Sequence, residues 1–474
     1  MGRPSCRGAS ALLLLLAAMA CARPGDAPSP APPPPPIVLI TIEGLRRDVV
    51  GGLGGEPGWT PNLDRLVHDA NWAGTAITPS SSLVPSLVSV LTGLRPWQHQ
   101  MVSPGQRQLE AGLVPLAERL AALGYEARGY TDSVQLGAGH GWARGLKSYT
   151  ALRRGNQAAA DIASLADRRA FLWIHLTTPG APYVRKPWMV AQLRPGDPPL
   201  PRRVDPARLE PYFDPAVDLP PALRDELKAM YRLNVIAADA MVGRLLQGLD
   251  KGPAAERALV VVTSVFGQEF GEHGQIAAGG NLGRYGIEVP LLVRLPRGLD
   301  GGIRLPRDQP VSLTRVFATL VEAAGGEVAP EVAPSLFRSV TTPLLSELYL
   351  AAGANEFSLV EGNAQLRWLA RFADPRPGFY ALRLEALRSE KDSPAREAFR
   401  RTMAELTGQW RQSPPLSGRV TPPEAWLERW TEGGVERFDD PDRARQMSAR
   451  LRLAWGRFVG SERTPEQEAA SRRP

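Results

Sequence analysis

The sequence predicts an α/β protein with a mainly parallel, doubly wound sheet and a smaller C-terminal α+β subdomain. Short apolar runs rich in β-branched residues recur along the first two thirds of the chain. Segments with the apolar spacing, start signals and stop signals of helices lie between these runs. Strands that alternate with helices in this way are typical of a parallel sheet covered by helices on both faces.

The first strand is predicted at residues 37–42 (IVLITI), directly after a run of prolines. Its continuous apolar, β-branched character is typical of a parallel strand buried on both faces, because a half-exposed strand would alternate. Similar runs predict further strands at 125–131, 171–176, 258–263 and 289–295.

Helices are predicted between the strands from their terminal residues. Thr60 and Pro61 open TPNLDRLVHDA with an N-cap residue, a proline at the first helical position and an acid in the first turn. Pro85 begins a second short helix, which Gly93 closes. Further helices are predicted at 113–124, 220–250 and 311–325.

Two changes in composition divide the rest of the chain. Residues 178–222 are rich in proline and polar residues, which predicts a long loop over the face of the sheet. Beyond about residue 340 the alternation of strands and helices fades. We therefore expect a main α/β domain over residues 37–340 and a C-terminal α+β subdomain over residues 341–474.

Composition excludes one class of partner. Of the 474 residues, 43% are hydrophobic and 22% are charged, which is ordinary for a globular protein with a large core. The formal net charge of +7 comes from arginines spread along the chain, without a dense basic run interleaved with aromatic residues. We therefore expect a solvated, arginine-rich surface and no nucleic-acid partner.

The N-terminus has the pattern of a signal peptide. Arg3 and Arg7 precede the apolar run from Ala11 to Ala20, which is too short to span a bilayer. We therefore expect residues 1–20 to direct export.

Cys21 follows this run, after the small residues Ala18, Met19 and Ala20, and the pattern resembles a lipobox. The lipobox prefers Leu where Ala18 stands, so ordinary cleavage after Ala20 stays open as the alternative. The only other cysteine is Cys6, so the folded body carries no thiol or disulfide. We expect a lipid anchor at Cys21 and a stiff proline-rich linker over residues 21–36.

This pattern places the protein in a bacterial cell envelope, held to a membrane by its lipid or released into the periplasm. Ala22 gives no strong signal for retention at the inner membrane, which favours the outer membrane.

Several segments resemble the sulfatase family of the alkaline phosphatase superfamily, in the family's order. TPNLDRLVHDANWAGTAIT resembles its TPNLDRLA helix, SSSLVPSLVSVLTGLRP its nucleophile helix, and VVVTSVFGQEFGEHG its TSDHGEEFGEHG segment. FLWIHLTTPGAPY resembles the end of the strand that usually reads His-x-x-Asp-Pro-His-x-Pro-Tyr. The resemblance implies a hydrolase fold of the alkaline phosphatase type.

The chemistry implied by this resemblance requires a nucleophile at a helix N-terminus and a divalent cation held by carboxylates. Glu43 stands where the first metal-binding Asp of the family stands, and Gly44 stands at the second. Glu43 is therefore the one ligand-like position that is kept. The alternative is a strand-end acid that caps a helix or pairs with Arg46 or Arg47.

The other site positions carry different chemistry from the family. The nucleophile position, two residues before Pro85-Ser86, holds Leu83, and the adjacent Ser81 and Ser82 are expected to cap the helix. The positions of a metal-binding Asp-His pair and of the substrate His hold other residues, namely Val265, Phe266 and Gly180.

Two histidines stay in register with the family. His273 lies in the GEHG segment and His175 lies on a predicted strand, and we expect both to be structural because their usual acidic partners are replaced. His99 is expected in a loop.

These replacements predict a non-catalytic protein that acts by binding and holds no metal. Its partner would be a sulfated or phosphorylated glycan or lipid, or another envelope protein. The alternative is an active sulfate- or phosphate-ester hydrolase or transferase with a rearranged site. That enzyme would use Glu43 and Ser82, a cation such as calcium or manganese, and Glu269, Glu272 or His273 as substitute ligands.

Overall fold

A computed structural model describes most of the body of the chain: residues 34–102, 106–152, 156–165, 169–213, 217–299, 302–303, 305–351, 354–371 and 424–459. The predicted signal peptide, Cys21 and most of the predicted linker lie outside the described residues.

The centre of the fold is an eight-stranded sheet with the strand order β10-β2-β9-β6-β1-β5-β3-β4. Its strands are β1 (Ile37–Glu43), β2 (Trp72–Ile77), β3 (Glu126–Thr131), β4 (Ser148–Thr150), β5 (Ala170–Leu176), β6 (Leu259–Phe266), β9 (Glu288–Arg294) and β10 (Val311–Ser312). The segment after β6 contains β7 (Glu269–Phe270) and β8 (Ile276–Ala277), which pair as a separate two-stranded sheet. Only β9 runs antiparallel to its neighbours, and the other pairs are parallel. The predicted mainly parallel sheet is therefore confirmed.

Strand β1 is the axis of this sheet, and all seven of its residues are buried. It pairs in parallel register with β5 on one side and β6 on the other. Val38 and Ile40 face one apolar cluster, whereas Ile37 and Leu39 face another. A strand covered on both faces has no solvent side, which accounts for its unbroken apolar sequence.

Helices cover both faces of the sheet. The helices are α1 (Pro61–Asp69), α2 (Leu83–Thr92), α3 (Pro96–His99), α4 (Leu116–Ala122), α5 (Asn156–Ala163), α6 (Pro206–Leu209), α7 (Pro221–Asp250), α8 (Arg284–Ile287), α9 (Arg315–Ala323) and α10 (Pro441–Val459). In the described part of the chain, no helix combines the length and the apolar character needed to span a membrane.

Several predicted boundaries are corrected. Helix α2 begins at Leu83, two residues before Pro85, so the expected nucleophile position lies inside its first turn. The predicted loop over residues 178–222 contains α6 and two short 3₁₀ helices, Pro187–Gln192 and Glu210–Phe213. His99 is a buried helix end rather than a loop residue.

The C-terminal part forms a second, antiparallel sheet of five strands in sequence order. These strands are β11 (Leu344–Ala351), β12 (Ala354–Glu361), β13 (Ala364–Arg371), β14 (Glu424–Thr431) and β15 (Gly434–Phe438). Residues of α10, including Met447 and Leu451, share an apolar cluster with Leu366 and Leu427 of this sheet. A sheet and a helix around one core confirm the predicted α+β subdomain.

Candidate functional site

The carboxyl end of β1 brings together Glu43, Gly44 and Gly180, three positions singled out from the sequence. Gly44 has a φ of 75°, and a Cβ atom added there would lie 2.9 Å from the Cα atom of Gly180. A Cβ atom added at Gly180 would lie 3.1 Å from the Cβ atom of Glu43. The backbone segments therefore approach so closely that a larger side chain at either glycine requires them to separate.

The carboxylate of Glu43 is held by a histidine rather than by an arginine or a helix end. Its Oε1 atom lies 2.9 Å from His175 Nε2, and His175 Nδ1 lies 2.8 Å from the hydroxyl of Thr41. The indole N–H of Trp173 donates to the same hydroxyl at 3.0 Å. Glu43 therefore pairs with His175 and not, as one alternative from the sequence had it, with Arg46 or Arg47, because β5 presents His175 beside the carboxyl end of β1.

Leu83, Val265 and Phe266 belong to one buried apolar cluster. Val265 is fully buried, and Phe266 and Leu83 are 6% and 8% exposed. Leu83 opens α2, and the other two end β6, so the cluster includes residues from the helix start and from the end of the strand. Such a packing region excludes water and offers no oxygen or nitrogen ligand from these side chains.

The serines around the start of α2 have different environments. Ser82 is the N-cap residue, but its hydroxyl makes no capping hydrogen bond, so the predicted capping by this side chain is wrong. The hydroxyl of Ser86 contacts Thr78 Oγ1 at 2.8 Å and donates to the carbonyl oxygen of Ser80. Ser86 therefore fastens α2 to the end of β2. The hydroxyls of Ser80 and Ser81 are buried without a hydrogen-bond partner among the described residues.

Arg46 supplies a buried positive charge just beyond β1. Its guanidinium donates to Asp48 Oδ1 and to Glu272 Oε1, each at 2.8 Å, and it lies 3.9 Å from the ring centre of Tyr285. Burial lowers the pKa of Arg46, but the charges of Asp48 and Glu272 outweigh it, so the pKa rises well above its usual value. The carboxylate of Glu272 is therefore already neutralised within the protein.

A second charge network joins the GEHG segment to the C-terminal sheet. His273 Nδ1 lies 3.0 Å from Glu269 Oε1, and His273 Nε2 lies 3.6 Å from Glu428 Oε2, a distance for an ion pair rather than a hydrogen bond. Glu428 accepts from Arg367 at 3.0 Å, and Arg367 donates to Glu356 at 2.6 Å. The chain of charges is almost fully withdrawn from water, since all five residues are buried or nearly so.

The protonation states follow from these neighbours. Burial by itself lowers the pKa of His273, but Glu269 and Glu428 outweigh it and raise the pKa to about 10. For Glu428, burial raises the pKa, and the contacts with His273 and Arg367 lower it to about 2. Burial raises the pKa of Glu269 despite the charge of His273. At neutral pH, His273 is therefore a cation between two acids.

The residues present do not fit a divalent cation. Calcium takes six to eight oxygen ligands, and manganese prefers oxygen ligands as well. Glu43 is engaged by His175, its neighbours Gly44 and Gly180 have no side chain, and Val265 and Phe266 are apolar. Within the described ranges, no three carboxylate, histidine or cysteine side chains group in a way that could hold a metal ion.

The structure thus brings the predicted positions into two adjoining regions. Glu43 and Gly180 meet at the end of β1, and Leu83, Val265 and Phe266 meet between α2 and β6. His273 lies in the separate charge network. Glu428, the partner of His273 in the C-terminal sheet, and Arg367, which pairs with Glu428, were not predicted from sequence, because they lie over ninety positions from His273 with no pattern that links them.

Known proteins resemble this chain chiefly in fold. No family model matches it. The steryl-sulfatase of Mus musculus is 36% identical over 114 residues, which cover 22% of this chain and 18% of that protein. The chain thus matches less than a fifth of the length of that curated relative.

Solved structures match much more of the chain. A putative sulfatase from Bacteroides thetaiotaomicron has a TM-score of 0.58 and 16% identity, over 82% of this chain and 95% of that chain. The phosphonate monoester hydrolase of Agrobacterium radiobacter has a TM-score of 0.54 and 16% identity, over 86% and 100%. A structure in complex with its substrate D-glucosamine-2-N,6-O-disulfate has a TM-score of 0.59 and 13% identity, over 81% and 100%. The TM-scores over more than four fifths of the chain show a common fold, and at identities of 13–16% the likeness is one of fold alone.

The position of His273 between two acids makes a prediction about stability and pH. A histidine whose folded pKa is raised stabilises the fold fully below its unfolded value of about 6.5, and this contribution is lost as pH rises through about 10. His273→Gln should therefore lower the free energy of unfolding by about 3 kcal/mol at pH 6, and by clearly less near pH 10. Urea unfolding at the two pH values measures the difference.

His68→Gln is the matched control, because His68 contacts Asp69 but its side chain is 90% exposed. It should behave like the wild-type protein at both pH values. A loss for His273→Gln that is equal at both pH values would contradict the assigned charge of His273.

Proposed function

Since the chain has the α/β fold of the sulfatases and phosphonate monoester hydrolases, we propose that it is a non-catalytic envelope lipoprotein that acts by binding. One observation carries this proposal: Leu83, Val265 and Phe266 are buried in one apolar cluster, and they stand at positions that hold the nucleophile and metal ligands in the family that the chain resembles. Attack on a sulfate or phosphate ester needs an oxygen or sulfur nucleophile, and Leu83 provides neither.

The charges around the cluster support the same proposal. The carboxylate of Glu43 contacts His175, that of Glu269 contacts His273, and that of Glu272 contacts Arg46. A cation that entered this region would compete with these contacts and would also lose its water ligands. These three carboxylates are therefore engaged in ion pairs of the folded protein and are not free to bind a cation.

The proposed ligand is a sulfated or phosphorylated glycan or lipid, or a protein of the envelope. Two buried hydroxyls, those of Ser80 and Ser81, lie just before α2 and have no hydrogen-bond partner among the described residues. Hydroxyls and backbone N–H groups at the start of a helix are suited to the oxygens of an anionic group. Anchoring through Cys21 would hold this site at a membrane.

A second candidate is a hydrolase or transferase with a rearranged site. One observation favours it: the hydroxyl of Ser82 lies at the start of α2 and makes no capping hydrogen bond. A hydroxyl at a helix N-terminus can act as a nucleophile where a base or a cation activates it.

We expect purified protein to bind calcium, manganese and zinc only weakly, with dissociation constants above about 1 mM for calcium and no fixed stoichiometry. The physical reason is that the described residues offer no set of free carboxylates around Glu43. Isothermal titration of the wild-type protein and of Glu43→Gln measures this, with an active sulfatase of the same fold as the positive control. One ion bound per chain with micromolar affinity, and lost in Glu43→Gln, would refute the non-catalytic proposal.

Turnover separates the two candidates. We expect no hydrolysis of p-nitrophenyl sulfate or p-nitrophenyl phosphate above the background of buffer, with or without added manganese. Ser82→Ala tests the rearranged site, and Ser86→Ala is a matched control because its hydroxyl is committed to Thr78 and Ser80. Activity that is present in the wild-type protein and in Ser86→Ala but lost in Ser82→Ala would establish the second candidate.

The lipid anchor makes a separate prediction. When the full chain is expressed in a bacterial host, we expect it in the membrane fraction and its N-terminal peptide to carry the mass of a diacylglycerol at Cys21. Cys21→Ser should move the protein to the soluble periplasmic fraction, whereas Cys6→Ser should leave its location unchanged. Soluble wild-type protein that begins at an unmodified Cys21 would show ordinary cleavage instead.

A further inference from the structure

The segment from Tyr183 to Val204 forms a closed loop that leaves the sheet after β5. Its two ends are buried, with Tyr183 and Val204 only 3% and 2% exposed. Val184 and Arg203 form an antiparallel bridge, and the amide of Arg185 donates to the carbonyl of Arg202 at 2.8 Å. The loop is therefore fixed at its base to the core of the protein.

The outer end of the loop exposes apolar side chains. Within and just after the 3₁₀ helix Pro187–Gln192, Met189 points inward and is fully buried. Trp188, Val190 and Leu193 are 48%, 47% and 38% exposed. Val190 and Leu193 are three positions apart, which places them on one side of a 3₁₀ turn.

Polar contacts hold the loop in this conformation. Arg194 forms an ion pair with Glu56, and its guanidinium lies 5.2 Å from the ring centre of Trp59. Arg232 of α7 forms an ion pair with Asp197, which also accepts from the amide of Arg194 at 2.7 Å. These contacts fix the backbone after the exposed residues, and the bond from Arg185 to Arg202 fixes it before them, so the apolar surface is preorganised for a partner.

The loop is also strongly basic. Between Tyr183 and Val204 it carries five basic side chains and one acidic side chain, and the acid, Asp197, is paired with Arg232. Lys186, Arg202 and Arg203 are exposed, and no carboxylate of the described residues lies within 4.0 Å of them. Unpaired cations therefore flank the exposed apolar side chains.

We propose that this loop docks the protein on the surface of an anionic lipid bilayer. A tryptophan beside aliphatic side chains suits the boundary between headgroups and acyl chains, where an amphipathic ring is most stable. Lys186, Arg202 and Arg203 match the charge of anionic headgroups, and their aliphatic stems can lie along the apolar surface. The three exposed apolar side chains cover far less area than a stable protein interface needs, which favours a lipid surface over a protein partner.

The base of this loop packs against residues that contact the candidate site. The ring of Tyr183, at the base of the loop, lies 6.0 Å from that of Tyr231 and 6.3 Å from that of Phe270. The hydroxyl of Tyr231 in turn donates to the carbonyl of Gly44 and accepts from the amide of Arg46. The loop is thus connected through packed side chains to the end of β1. This inference is independent of whether the site is catalytic.

A fluorescent probe on the loop tests the proposal directly. The full chain with Cys6→Ser and Cys21→Ser carries no other thiol, so Val190→Cys can be labelled with an environment-sensitive dye such as NBD. We expect the emission of this probe to shift to the blue and to be quenched by doxyl lipids in phosphatidylcholine vesicles with one third phosphatidylglycerol. The same dye at Val134→Cys is the matched control, because Val134 is 84% exposed and lies outside the loop.

A double variant tests how much the basic side chains of the loop contribute to lipid binding. Arg202→Gln with Arg203→Gln should raise the lipid concentration at half-maximal response of the probe by about 25-fold, because each basic side chain near an anionic surface contributes about fivefold. Circular dichroism checks that the labelled variants are folded. Any binding through the N-terminal segment affects both labelled proteins, so only contact of the loop with lipid separates the two probes.

Two results would overturn the proposal. The first is a probe at Val190→Cys that stays in water in the presence of anionic vesicles, as it also would if the loop docked on a protein. The second is an equal response of this probe to vesicles of phosphatidylcholine alone, which would remove the role of the basic side chains.

Discussion

The buried apolar cluster that includes Leu83, Val265 and Phe266 is the constraint on which the rest of the site depends. It joins the first turn of α2 to the last residues of β6, which is the neighbour of β1 in the sheet. Because the cluster excludes water, a charge placed next to it requires a partner from the protein. Glu43 meets this requirement through His175, which in turn is held by Thr41. The apolar cluster and the buried pair of Glu43 and His175 therefore depend on each other.

The second arrangement of buried charge lies between the main sheet and the C-terminal sheet. Glu269 and His273 come from the loop after β6, whereas Glu356, Arg367 and Glu428 come from β12, β13 and β14. Such networks add little net stability over an apolar contact, but they are costly to break because each remaining charge loses its partner. The network consequently fixes how the GEHG segment meets the second sheet, and it engages Glu269 and His273, two of the residues that the alternative interpretation offers as substitute metal ligands.

The sequence predicted the sheet better than the site because the two depend on different ranges of interaction. Strands such as 37–42 show their burial in their own residue types, and the helix after Thr60 shows its start in its first four residues. The partner of Glu43 was missed because His175 is distant in sequence and becomes a neighbour only through the pairing of β1 with β5. The start of α2 was placed at Pro85 because proline is common in a first turn, which fixes a helix start only to within a turn.

The close contact between Gly44 and Gly180 limits how this region can change in evolution. A Cβ atom at Gly44 would lie within 2.9 Å of the facing backbone, and the left-handed φ at this position is unfavourable for any other residue. An aspartate at Gly44 or a histidine at Gly180 would therefore need the two loops to move apart before its side chain could reach the site. Neither glycine can therefore be replaced alone at low cost, and a larger side chain at either position needs compensating changes in both loops.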